Sequence, residues 1–144
     1  MLQRFLDSYR ERRRLRLALR VTLDAARARA ARGATYLDGA DDGWHTRLNT
    51  STLELADGAS CVLGQLHGGF RHGLLRARVL DLSSAPLASL SPVDLGFQAQ
   101  RDLGAEIEAL DYAFLNRAWR EEISRRADAR ALPAVARPAE PAMA

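Results

Sequence analysis

Few residues in this chain are equipped for chemistry. Cys61 is the single cysteine and the natural candidate nucleophile, with His67 and His72 close in sequence and His45 further off. A reactive thiol needs a depressed pKa, supplied by a helix N-terminus or a cationic neighbour. Ser60-Cys61 opens the apolar run Val62-Leu63-Gly64-Gln65-Leu66, so Cys61 stands near a helix start that Ser60 can cap. The same run surrounds the thiol with hydrocarbon, and free cysteine is among the most buried residue types. Core packing is therefore the expectation for Cys61, and a Cys61-dependent enzyme is the weakest of three functional readings.

The same Cys and three His are a poor zinc set. Structural zinc sites show paired ligands at close spacing, and these gaps are irregular. The glycines of Gly64-Gln65-Leu66-His67-Gly68-Gly69 match neither phosphate-loop spacing, so they are expected to serve turns and close packing. Asp41-Asp42 and Glu121-Glu122 have no companion that separates them from a solvated surface. The expectation is no catalytic residue, no metal and no cofactor.

The strongest remaining signal is charge. All 21 basic residues are Arg, as in proteins of GC-rich genomes. Residues 1–33 hold ten Arg against Asp7, Glu11 and Asp24, a net +7, while residues 34–144 carry a net −4. The positive charge is thus an N-terminal feature. At helical spacing, Arg13, Arg16, Arg20 and Arg27 form one narrow stripe. Leu15, Leu19, Leu23, Ala26 and Ala30 lie to one side of it, and Leu17 and Val21 to the other. A helix with one buried face shows a single apolar stripe. Apolar residues on both flanks predict two contact surfaces, one internal and one for a partner. A basic stripe also suits phosphates on DNA or RNA.

These residues need elements to position them. Residues 2–31 contain no Gly or Pro and are rich in Arg, Leu and Ala, which predicts one continuous helix capped by Gly33. At 1.5 Å per residue it would run about 45 Å. The remaining ~110 residues would pack to a radius of gyration near 13 Å, so the helix would protrude. Residues 34–59 read as loop-rich, with Tyr36 and Trp44 plugging the core. Residues 60–67 and Phe70 to Leu82, with Leu74, Leu75, Val79 and Leu82 apolar, read as short helices separated by Gly68-Gly69. Residues 83–94 read as a loop and Leu95-Gly96-Phe97 as an apolar anchor. Residues 102–130 form a last long helix, with Tyr112, Leu115, Trp119 and Ile123 on one face and Leu103, Ile107, Leu110 and Phe114 on another. It is expected to be buried on two sides or broken near Asp111. Pro133, Pro138 and Pro141 among alanines read as a disordered tail.

The series Gly33-Ala34, Tyr36-Leu37-Asp38, Gly43-Trp44, Leu53-Glu54-Leu55, Cys61-Val62-Leu63-Gly64-Gln65-Leu66, Leu95-Gly96-Phe97, Trp119 and Ile123 resembles a group of small uncharacterised proteins. They occur in phages and prophages of actinobacteria and other GC-rich bacteria. The Cys-Val-Leu-Gly-Gln-Leu segment is its most specific part, and the resemblance covers about residues 33–126. Relatives often carry a second cysteine just before Cys61, where Ala59 and Ser60 stand in this chain. The resemblance implies a phage-type origin and a fold, and brings no activity with it.

The expectation is a mainly α single domain: a small helical bundle with a long protruding N-terminal helix and a disordered C-terminal tail. Its parts are an Arg-rich helix over 1–32, a helical globular domain over 33–130 and an Ala/Pro-rich tail over 131–144. One cysteine excludes an internal disulfide and suits a reducing cytoplasm. No apolar run is long enough for a transmembrane segment, and no secretory signal pattern opens the chain. The leading functional expectation is a non-catalytic interaction module, a phage-type accessory protein that binds a protein partner or self-associates. Leu17 and Val21 with Arg13, Arg16, Arg20 and Arg27 are the candidate contact residues. Nucleic-acid binding through that Arg-rich helix is the alternative.

Overall fold

The computed structural model describes residues 1–77 and 91–131. Among them the regular structure is helical, with no strand. Five α-helices follow in order: α1 Leu2–Ala18, α2 Leu23–Ala40, α3 Val62–His67, α4 Phe70–Arg76 and α5 Ala105–Ala131, with a short 3-10 turn at Trp44–Arg47. The expected helix at Phe70 is present as α4. Its proposed continuation through Val79 and Leu82, most of the expected loop, and the Pro-containing tail lie outside the described residues.

The first correction concerns the N-terminal helix, which is two helices. No Gly or Pro breaks it. The backbone tightens after Ala18, with the Arg20 and Val21 N–H groups donating to Leu17 and Ala18 carbonyls. Thr22 then turns extended, and its Oγ1 accepts a hydrogen bond from the Ala25 N–H at 3.1 Å. This is an N-cap, supported by Asp24 in the first turn of α2. Such a cap stabilises a helix start by about 1 kcal/mol. Thr22 and Asp24 are the sequence signature of the break, hidden inside a run of good helix formers.

Gly33 is the second correction. It caps nothing and sits in the middle of α2, so the boundary expected between residues 32 and 33 falls inside a helix. The buried face of α2 is Ala26, Arg29, Ala30, Gly33, Ala34 and Leu37, and the small residues Ala26, Ala30, Gly33 and Ala34 let another chain segment come close. A Cβ on Gly33 would run into the Leu95 carbonyl oxygen and approach Trp119 Cζ2 to 2.8 Å. Glycine is present for contact, and a mid-helix Gly costs up to about 1 kcal/mol that this packing must offset.

Helices α2 and α5 form the main packed pair. Helix α5 is continuous through Asp111, which is fully buried, and not broken there. Leu115, Trp119 and Ile123 of its expected face are buried with Ala118, and Tyr112 is partly buried against them. Leu110, from the other expected face, is exposed. Segment 91–104 threads between the two helices. Its Gly96 lies at φ +72°, with the Ala30 nitrogen 2.8 Å from where a Cβ would be. Trp119 Nε1 donates to the Gly96 carbonyl at 2.6 Å, and its ring stacks on Phe97 at 5.4 Å. Trp44 meets Trp119 edge-on at 5.8 Å and donates to Asp38 Oδ1 at 2.8 Å. Trp44 plugs the core as expected. Tyr36 is half-buried and donates its hydroxyl proton to the Ala77 carbonyl.

A buried ion pair locks the threaded segment in place. Arg29 Nη1 donates to both carboxylate oxygens of Asp111, at 2.8 and 2.9 Å. Arg29 Nε and Nη2 donate to the Val93 and Gln98 carbonyls at 2.8 and 2.7 Å. Asp111 also accepts from the Gln100 N–H at 2.8 Å. One guanidinium and one carboxylate thereby fix α2, α5 and the loop between them, with their polar atoms satisfied. Helices α3 and α4 pack on each other through Gly73, where a Cβ would meet that of Leu63 at 2.6 Å.

Candidate interaction surface

The sequence-level chemistry resolves first. Cys61 is buried and itself caps α3, in place of the expected Ser60: its Sγ accepts from the Gly64 N–H at 3.3 Å. Burial pushes the thiol pKa up, against the smaller opposing effect of that hydrogen bond. The thiol also donates to the Gly58 carbonyl at 3.7 Å, so it serves as a packing and capping group, and among the described residues no His pairs with it as a base. His67 is half-buried, and desolvation lowers its pKa. His72 is exposed and accepts from Arg76 Nε at 3.3 Å. His45 packs edge-on against Trp44, its ring nitrogens buried without a hydrogen bond among the described residues. Among the described residues no three His, Cys, Asp or Glu side chains gather as a metal set.

Of the two acid pairs, Asp41, Glu121 and Glu122 are held in ion pairs, and Asp42 is exposed. Asp41 pairs with Arg47. Glu121 pairs with Arg27 and Arg117, and buried Glu122 with Arg125 and Arg126. Arg126 also holds Asp38 with two nitrogens, at 2.9–3.2 Å, while its guanidinium lies 5.6 Å from the Trp44 ring centre. These groups tie the end of α5 to α2 and to the Trp44 turn.

The four-Arg stripe does not survive the break between α1 and α2. Arg27 lies on α2 and donates through two nitrogens to Glu121, at 3.0 and 3.1 Å. Arg20 sits in the elbow itself, exposed. Leu17 and Val21, both half-buried, join Arg20 in lining a shallow cleft of about 370 Å³ against Arg32, Val93 and Asp94. Arg13 and Arg16 remain exposed on α1. The structure thus brings Leu17, Arg20 and Val21 together, and sets Arg27 apart.

Helix α1 carries the surface that the Arg stripe concealed. None of its 17 residues is buried. It leans on the fold through one side only, where Asp7, Arg10, Glu11, Arg13, Arg14 and Leu17 line a cleft with residues 100–103 and Arg14 Nη2 donates to the Leu103 carbonyl at 3.1 Å. At 3.6 residues per turn, Leu2, Phe5, Leu6 and Tyr9 fall in one sector away from Asp7 and Arg14. Leu2, Phe5 and Tyr9 are 74%, 71% and 55% exposed. Arg12 and Arg16 continue that same sector toward the elbow, with Arg13 at its edge beside the cleft. Sequence reasoning centred on residues 13–27 passed over this apolar tip, although its i, i+3, i+4, i+7 spacing is the ordinary amphipathic signal. Across residues 1–20 there are seven Arg against Asp7 and Glu11.

No helix among the described residues is long and apolar enough to cross a membrane. No protein-family model matches this chain, and no curated protein or solved structure is found similar to it, so the geometry alone carries the functional reading.

Proposed function

We propose that the chain is a non-catalytic interaction module that uses α1 as a docking arm. One observation carries this reading: α1 holds no buried residue, yet aligns Leu2, Phe5, Leu6 and Tyr9 on a single exposed face. A short helix with no buried face is marginal in water, so its apolar stripe gains its stability on a partner. The packed pair α2 and α5 forms the body that the arm tethers, Cys61 and His45 are absorbed into packing, and Asp41, Glu121 and Glu122 into ion pairs. The resemblance to small phage and prophage proteins suits an accessory module of this kind.

The test is site-specific photo-crosslinking in the native cell. A photoreactive side chain replacing Phe5 is expected to give a discrete adduct, identified by mass spectrometry. The same group replacing Leu110, exposed on α5, is the control. Absence of any adduct specific to position 5 would overturn the docking-arm reading. Nucleic-acid binding through all four Arg lacks a matching geometry, because Arg27 is engaged by Glu121.

A further inference from the structure

We propose that the partner of the α1 arm is an anionic lipid surface, with the apolar tip entering the headgroup–acyl boundary and the Arg segment lying on phosphates. The proposal rests on the docking-arm reading and names its occupant.

The first two turns of the outward sector present Leu2, Phe5, Leu6 and Tyr9, and its next two present Arg12 and Arg16. Apolar and cationic groups follow one another along one face, instead of standing on opposite faces. An occupant must therefore take hydrocarbon at one end and guanidinium at the other.

A second copy of α1 fails in either direction. Parallel pairing sets six Arg against six Arg, and antiparallel pairing sets each apolar tip against the other's Arg segment. A nucleic acid satisfies the Arg segment, but it leaves Leu2 and Leu6 with no apolar layer to enter. A lipid interface supplies anionic charge directly above hydrocarbon, within the ~5–10 Å depth that an interfacial helix occupies. From Leu2 to Tyr9 the helix rises about 10 Å, so a modest tilt seats the tip while the guanidinium groups stay at phosphate level. Tyr9, at the junction, has the amphipathic ring that favours that depth. The elbow at Leu19–Thr22 lets the arm lie flat while the body stays in water.

The test is sedimentation of the full chain with phosphatidylglycerol–phosphatidylcholine vesicles, against phosphatidylcholine alone. Binding is expected only with the anionic lipid, and to weaken with salt. Replacing Arg12 and Arg16 by Gln should weaken it about twenty-five-fold, at about fivefold per guanidinium. The double change Phe5→Ser and Leu6→Ser should weaken it by about tenfold or more. Neither set touches the core, so helicity and unfolding temperature check that the body is intact. A Phe5→Trp variant reports depth, because Trp44 and Trp119 are sealed in the core: its emission should be quenched by brominated acyl chains.

A folded chain that stays in the supernatant with anionic vesicles at low salt would overturn the proposal. So would binding indifferent to Phe5→Ser and Leu6→Ser, which marks a plain polyanion contact. Crosslinks from position 5 that reach only protein would assign the arm to an acid-rimmed protein groove: the lipid assignment then falls while the docking-arm reading stands.

Discussion

Replacing Asp111 by Ala should unfold much of what holds the body together. Asp111 is fully buried and accepts two hydrogen bonds from Arg29 and one from the Gln100 N–H, all at 2.8–2.9 Å. Removing it strands a guanidinium whose side chain is 11% exposed, together with an amide N–H. Breaking a buried pair from one side costs about 3–5 kcal/mol. That is a fifth or more of the ~5–15 kcal/mol that separates a folded domain from its unfolded chain. At a few degrees per kcal/mol, the midpoint should fall by roughly 10–20 °C. The assay is thermal and urea unfolding followed by helical circular dichroism. Arg29→Met with Asp111→Leu should not restore wild-type stability, because Arg29 also serves the Val93 and Gln98 carbonyls, which hydrocarbon leaves unpaired. A loss below about 1 kcal/mol for Asp111→Ala would refute the claim that this pair locks segment 91–104 between the helices.

Three further outcomes follow from the packing. Gly33→Ala should destabilise by about 1–3 kcal/mol, despite Ala's better helix propensity, because the added methyl meets the Leu95 carbonyl and Trp119; urea unfolding checks the sign. Hydrogen bonds from Arg126, opposed by partial desolvation and aided by Trp44, hold the Asp38 carboxyl below its ordinary value of 3.8. Its stabilisation is complete above that value and is lost as pH falls through the lower folded value, so Asp38→Asn should flatten the acid limb of stability against pH. Cys61 should resist alkylation by iodoacetamide at neutral pH in the folded chain and react at once in urea, read by intact mass.

What the sequence showed and what it hid have separate physical causes. The apolar face of α5 was legible because Leu115, Trp119 and Ile123 repeat at helical spacing, and Trp44 was legible as a core plug by its bulk. The break at Thr22 was obscured because a single capping hydroxyl outweighs the uniformly high propensity around it. Gly33 was misread because glycine serves both as a helix cap and as a point of close approach, and only the tertiary position of Leu95 and Trp119 decides between them. A break near Asp111 was one of two readings of α5 because its partner Arg29 lies 82 residues away, a separation no local pattern reveals. The candidate surface was half legible: Arg13 and Arg16 are exposed as a stripe requires, but Arg27 belongs to Glu121, and the tip at Leu2, Phe5, Leu6 and Tyr9 was masked by the density of Arg beside it.

Amide hydrogen exchange on the full chain tests the central claim most directly, because it reads α1 separately from the body. In the free protein, amides of Leu2–Ala18 should exchange rapidly while those buried in α2 and α5 exchange only on global unfolding. On adding anionic vesicles, α1 should gain protection and α2 and α5 should stay as they were. An α1 as protected as α2 in the free protein would contradict the account, because the helix would then be part of the fold and not an arm held out for a partner.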